Sequence, residues 1–253
     1  MHWVLAVAAA ASISTVAAYV GALRADGAAM ATVVGAVVFG RAGLAAAAVL
    51  VLFFASASAL SALPGERGRE RRNGAQVLAN GGIAAIAAAL HGVWPLADVA
   101  FVGALAAATA DTWATELGER YGGLPRSILT FHPLPRGASG GVTPLGTLAS
   151  AAGALSLSAV ALAGGMAGGA PLLIGGTAAG IAGSLVDSLL GAGLQAQYRC
   201  ERCGDRIESS WHASCSYRAV RVSGLPGVGN DLVNGLATAA GAGVAIGLYR
   251  LGL

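Results

Sequence analysis

Four acids stand in strongly apolar stretches: Asp111 in ATADTWATELG, Glu116 in the same stretch, Asp187 in GSLVDSLLGA and Asp231 at the start of an apolar run in GNDLVNGLA. A carboxylate inside a membrane span costs about 2.5–3.5 kcal/mol by insertion scales, so each such acid is a functional candidate. One acid alone can pair with Arg or cap a helix; four together point to a shared ligand. Residues three, four or seven apart share a helix face. Asn230 and Asp231 both fall within a turn of Asn234, and Arg72, Gln76 and Asn80 follow at intervals of four. Two polar stripes therefore run from segment ends into apolar sequence. Asp187 and Asp231 each precede a glycine by one turn, Gly191 and Gly235, which leaves space beside each acid. Carboxylates flanked by amides are hard oxygen ligands suited to Mg2+, which takes one or two of them and fills its shell with phosphate oxygens and water.

The complementary anion ligands lie in one loop. Arg126 and Arg136 flank Ser139, Gly140 and Gly141, and Thr143 follows at the head of an apolar run. Backbone N–H groups of a glycine turn that leads into a helix can cradle a phosphate, although this turn lacks the Gly-Lys-Ser/Thr ending of a Walker loop. Acids for a metal beside donors for an anion indicate a phosphorylated ligand. A separate cluster, Cys200-x-x-Cys203 followed by His212 and Cys215, uses every cysteine in the chain. Its two short ligand pairs suit a tetrahedral Zn2+ site with all four positions filled by protein, and such a closed site is structural. Free cysteines and a surface His are the alternative.

These groups must be positioned by membrane helices. The 253 residues are 56% hydrophobic and 11% charged, with a mean hydropathy of +0.70, against about a quarter charged in soluble domains. That is too little charge to cover a water-facing surface, and too much hydrophobicity for a disordered chain. All fifteen basic residues are Arg, a compositional bias. Apolar runs near 3–22, 28–40, 42–63, 75–93, 96–117, 143–163, 171–194 and 231–250 are candidate spans. They predict an all-α polytopic integral membrane protein with seven or eight transmembrane helices in a single domain, 1–253, and a cytoplasmic zinc-knuckle loop over 195–228. The second run is short, and Gly40, Arg41 and Gly43 part it from the third, so it reads as a half-helix or a re-entrant segment. The first run has no basic start and reads as a span, not a cleaved signal.

Arginine placement orients the set. Arg67, Arg69, Arg71 and Arg72 lie in one connection, Arg120, Arg126 and Arg136 in a second, and Arg199, Arg202, Arg206, Arg218 and Arg221 in a third. The intervening connections, HGVWPLAD and GGMAGGAP, contain none. The Arg-rich connections are therefore predicted to be cytoplasmic, and all four acids fall in the same half of the membrane.

The segments RRNGAQVLANGG, ATADTWATELG, SGGVTPLGTLAS, GSLVDSLLGA, the Cys/His cluster and SGLPGVGNDLVNGLA resemble, in order, the integral membrane family once called domain of unknown function 92. That family includes transmembrane protein 19 and the plant phytyl-phosphate kinases, and is similar at a distance to the CTP-using dolichol kinases and phosphatidate cytidylyltransferases. The resemblance covers about residues 20–250, with ADTWATELG and NDLVN its most specific parts. It implies transfer of a phosphoryl group from CTP or another nucleoside triphosphate to a prenyl, phytyl-type monophosphate. In that reading Asp111, Asp187 and Asp231 hold Mg2+, with Glu116 as a further ligand or a support behind them. Arg71, Arg72, Arg126 and Arg136 bind phosphate oxygens, and the Ser139–Gly141 turn cradles the transferred group. The implied partners are a prenyl phosphate lipid, a nucleoside triphosphate and membrane lipids, with no nucleic acid, and the implied location is the plasma membrane with the site facing the cytoplasm. A cytidylyltransferase releasing pyrophosphate and a transporter with acids as ion sites are the rival readings.

Overall fold

In an apolar surrounding the backbone has no hydrogen-bond partner but itself, so long Ala-, Gly- and Leu-rich runs become helices. The computed structural model describes residues 2–63, 71–166, 168–212 and 214–253. Its helices are α1 (His2–Tyr19), α2 (Ala25–Ser61), α3 (Gly74–Ala89), α4 (Ala97–Tyr121), α5 (Pro144–Ala163), α6 (Gly169–Gly193) and α7 (Asn230–Arg250). Of these, α2, α5, α6 and α7 are long and apolar enough to cross a membrane, and α1 and α3 are shorter apolar helices. The connections are not purely irregular, as an all-α reading would have it. One pairs β1 (Arg126–Ser127) with β2 (Gly141–Val142); another folds β3 (Gln197–Cys200), β4 (Arg206–Ile207), β5 (Trp211–His212) and β6 (Tyr217–Ser223) into an antiparallel sheet of order β4-β3-β6-β5.

Helix α2 folds back on itself. A straight helix of its 37 residues would be about 55 Å long at 1.5 Å per residue, yet both its ends meet Arg72. Arg24 N donates to Arg72 O at 2.9 Å, while the Arg72 guanidinium donates to Ala57 O at 3.2 Å and to Ser61 Oγ at 3.0 Å. The reversal falls at Gly43, whose φ of 78° and ψ of −164° suit glycine and almost nothing else. The runs predicted at 28–40 and 42–63 are thus the two arms of a hairpin. Its apex lies at the far end of the bundle, where Arg41 Nε donates to Ala89 O at 3.2 Å and Ala45 packs on Gly164. The Arg-rich connections share the other end; Arg67 and Arg69 of the first connection lie outside the described residues.

Helix α4 is the axis of the bundle. It packs against α3, α5, α6 and α7, and every residue from Ala97 to Ala110 is buried. Backbones meet closely around it because the contact residues are small. A Cβ placed on Gly180 would lie 2.5 Å from Ala154 Cβ and 2.9 Å from Ala106 O, and one on Gly241 would lie 2.6 Å from Gly103 O. Being wrapped by other helices, α4 tolerates Asp98, Asp111, Glu116, Glu119 and Arg120, which would be costly on a lipid-facing helix.

Candidate functional site

A cavity of about 870 Å³ opens at the Arg-rich end of the bundle. Asn73, Gln76 and Asn80 reach it from α3 and its cap, Asp111, Thr112, Thr115, Glu116 and Glu119 from α4. Ser184, Asp187 and Ser188 line it from α6, and Asn230, Asp231 and Asn234 from α7. Ser139, Gly140, Gly141 and Thr143 close one side. The four predicted acids therefore come together from three helices, with the predicted amides and glycine turn around them.

Several of these groups already have structural work. Asn73 and Gln76 form a reciprocal cap on α3, Gln76 N donating to Asn73 Oδ1 at 3.0 Å and Asn73 N to Gln76 Oε1 at 2.9 Å. Thr143 Oγ1 caps α5 by accepting from Gly146 N at 3.0 Å, and Asn80 Nδ2 donates to Gln76 O at 3.1 Å. Glu116 accepts from the Ser61 hydroxyl and from the Arg120 guanidinium, which ties the end of α2 to α4. Asp231 stands in the first turn of α7, where the helix dipole favours a carboxylate.

The arginines are placed differently from expectation. Arg71, Arg126 and Arg136 do not line the cavity. Arg71 donates to Leu23 O at 3.1 and 3.2 Å, and Arg126 donates to Phe131 O at 3.0 Å within its own loop. Chain carbonyls at turns and segment ends, which lack regular partners, have taken these guanidinium donors. Arg72 does line the cavity, but its guanidinium is bonded to Ala57 O, Ser58 Oγ and Ser61 Oγ. Among the described lining residues six acids, Asp111, Glu116, Glu119, Asp187, Glu208 and Asp231, face one arginine.

An anion does not enter such a site unaided, and the donor set is that of a hard-cation site. Asp187 Oδ2 is sealed from solvent and has no hydrogen-bond partner among the described residues. Asp111 and Asp187 both line the cavity, and like charges gathered in one pocket are unfavourable unless something positive lies between them. Two half-buried carboxylates, one with a sealed and idle oxygen, fit a divalent cation of the Mg2+ type.

Sequence reasoning missed two donors on the same walls. Gln195 and Ser150 are each 3% exposed, line the cavity, and leave Gln195 Nε2 and Ser150 Oγ without partners among the described residues. Gln195 lies in the short link LQA between α6 and β3, where nothing in the local pattern marks it. An unsatisfied buried donor costs about 1–3 kcal/mol, which an acceptor atom on a ligand would offset. Gln195→Met, by removing that donor, should raise the melting temperature of the ligand-free protein. Calorimetric melts check this, and a variant that loses stability refutes the reading.

Gly140, at φ +76°, is pressed so close to α6 that a Cβ there would fall 2.6 Å from Ala192 N and Cα, so the turn beside Ser139 admits no larger residue. The Cys200, Cys203, His212 and Cys215 ligand atoms lie within 4.8 Å of one another. Burial pushes the Cys200 thiol up, but the backbone N–H groups of Cys203 and Arg202, with the His212 and Cys203 side chains, outweigh it and bring it down to about 6, while the neighbouring Cys203 is pushed up to about 12; the thiolate at Cys200 is the form a metal binds. This cluster could hold a metal ion, and three sulfurs with one imidazole are compatible with Zn2+.

The fold and site define a polytopic helical membrane protein with an acid-lined pocket at one end. The chain belongs to the family described as Integral membrane protein DUF92, which it matches over residues 8–242. It is 40% identical over 119 residues to an uncharacterized membrane protein of Methanocaldococcus jannaschii, covering 46% of this chain and 48% of that one. It is 32% identical over 189 residues to Protein PGR of Arabidopsis thaliana, covering 61% and 66%. An uncharacterized membrane protein of Synechocystis is 31% identical over 148 residues, covering 58% and 46%. The matched stretch thus spans between 46% and 66% of the relatives' own lengths. No solved structure matches the chain.

Proposed function

We propose that this protein is a prenyl monophosphate kinase of the phytyl type. It moves the terminal phosphoryl group of CTP, or another nucleoside triphosphate, onto an isoprenoid monophosphate. An acceptor phosphate oxygen forms the new P–O bond, the bond between the γ-phosphorus and the β–γ bridging oxygen breaks, and the nucleoside diphosphate leaves. The acceptor is already an anion at neutral pH, so no general base is required, and catalysis consists of positioning and charge neutralisation.

The observation that carries the reading is the convergence of Asp111, Asp187 and Asp231 on one cavity in which Asp187 keeps an unpartnered oxygen. These three would hold Mg2+, which supplies charge neutralisation on the triphosphate when bound. Gln195 Nε2 and Ser150 Oγ donate to phosphate oxygens, and the Ser139–Gly141 turn holds the transferred group against the end of α6. Glu116, committed to Ser61 and Arg120, supports α4 behind Asp111. Apolar lining from Ile181, Leu185 and Leu232 receives the first carbons of the prenyl tail. The Arg-rich connections at this end support a cytoplasm-facing pocket, and in this reading the membrane is the plasma membrane, with nucleotides abundant on that side. Acids gathered at one end of the bundle disfavour a transporter, whose ion sites lie near the midplane.

The test is product analysis. Purified protein given phytyl monophosphate, CTP and Mg2+ should yield phytyl diphosphate and CDP, resolved by mass spectrometry. A CDP-lipid with pyrophosphate would reassign the protein as a cytidylyltransferase. No consumption of any common nucleoside triphosphate would overturn the kinase reading.

A further inference from the structure

The Cys/His loop reaches into the pocket. Strands β4 and β5 are two residues each and lie at the sheet edges, β4 held by β3 alone and β5 by β6 alone. The segment between them, Glu208 to Ser210, therefore has little ladder of its own to fix it. What brackets it is the ligand cluster, with Cys200 and Cys203 before it and His212 and Cys215 after it. From this segment Glu208 and Ser209 line the cavity. Glu208 Oε1 accepts from Ser139 Oγ at 3.3 Å, which holds its carboxylate in the cavity that Asp187 also lines. On the same walls the buried, unpartnered polar atoms of Gln195 and Ser150 mark a ligand pocket independently of the acids.

An acid brought up to a second acid that has an idle buried oxygen is unfavourable in an empty pocket and favourable around a cation. We propose that Glu208 is a cation-binding carboxylate of the pocket, delivered there by the metal-closed loop, so that filling the Cys200, Cys203, His212 and Cys215 site raises the pocket's affinity for a divalent cation. This rests on the reading of Asp187 as a cation ligand. The two metal sites are then linked, and the linkage is reciprocal.

Mn2+ is the probe, its free and bound forms separated by electron paramagnetic resonance on the full chain in detergent, with zinc content measured alongside. Glu208→Gln should keep its zinc and bind Mn2+ roughly tenfold more weakly. Cys203→Ser should lose zinc and show a similar loss of Mn2+ affinity, and the double variant should bind no worse than either single one. Unchanged Mn2+ affinity in Glu208→Gln or in zinc-free Cys203→Ser overturns the proposal, as does a further loss in the double variant. Asp187→Asn keeps the two readings apart. If it binds Mn2+ like the wild type, the cation reading of the pocket fails; if it loses binding while Glu208→Gln does not, only the present inference fails.

Discussion

Asp187→Asn and Asp111→Asn should each lower the proposed prenyl diphosphate formation by roughly 10²–10³-fold, about 2.7–4 kcal/mol of transition-state stabilisation, while the protein still inserts. The exchange preserves shape and removes charge. Asp187 should show the purer effect, because its Oδ2 has no partner among the described residues and so supports nothing else. Removing one of two like charges that share the cavity should also leave the ligand-free protein as stable as the wild type or more so. Glu116→Gln supplies the contrast. Glu116 is bonded to Ser61 and Arg120, and losing its charge leaves a mostly buried guanidinium with the carbonyls of Glu116 and Leu63 but no counter-charge, so this variant should lose stability together with activity. Rates from product assays and melting curves in detergent, taken on the same preparations, decide the matter. Wild-type turnover by both Asp variants would sink the proposed site.

Gly103→Val should prevent recovery of a monodisperse protein. A Cβ at position 103 lies 2.5 Å from Ala245 Cβ and 2.6 Å from Gly241 O, so valine would drive its methyl groups into the backbone of α7. Overpacking by a methylene or so typically costs 1–3 kcal/mol; three carbons against a helix backbone exceed that, in a protein whose total stability is of order 5–15 kcal/mol. The matching control is Gly243→Val on the same helix as Gly241, where nothing lies within 4 Å of the added carbon. Size-exclusion profiles of the two variants should differ sharply. Equal behaviour would mean that the α4–α7 contact is not the tight one it is described to be.

Intramembrane acids were legible in the sequence because bilayer energetics leaves them few reasons to exist, and Asp111, Asp187 and Asp231 do meet. The break near Gly43 was legible for a related reason: two glycines and an arginine interrupt an apolar run that is otherwise uniform. Arginines were poor guides. A loop guanidinium satisfies whatever carbonyl lies nearest, and Arg71 and Arg126 did so with Leu23 and Phe131. Gln195 and Glu208 were invisible for the opposite reason. Their placement depends on how a link and a small sheet fold over the bundle end, which no periodicity encodes. The central place of α4 was hidden too, since its acids lower its hydropathy and only tertiary packing shows that it faces helices on nearly every side.

The hairpin at Gly43 has a consequence for transport. By turning back there, the chain puts the reversal at the far end, where Arg41 meets Ala89 and Ala45 packs on Gly164, while the pocket and the connections from α4 to α5 and from α6 to α7 sit at the near one. On the proposed reaction, nucleotide and lipid head group arrive from the same compartment and the products return to it. The chemistry is scalar: it neither spends nor builds a gradient, and it leaves the diphosphate in the leaflet from which the monophosphate came. Any use of that product on the opposite leaflet calls for a separate flippase.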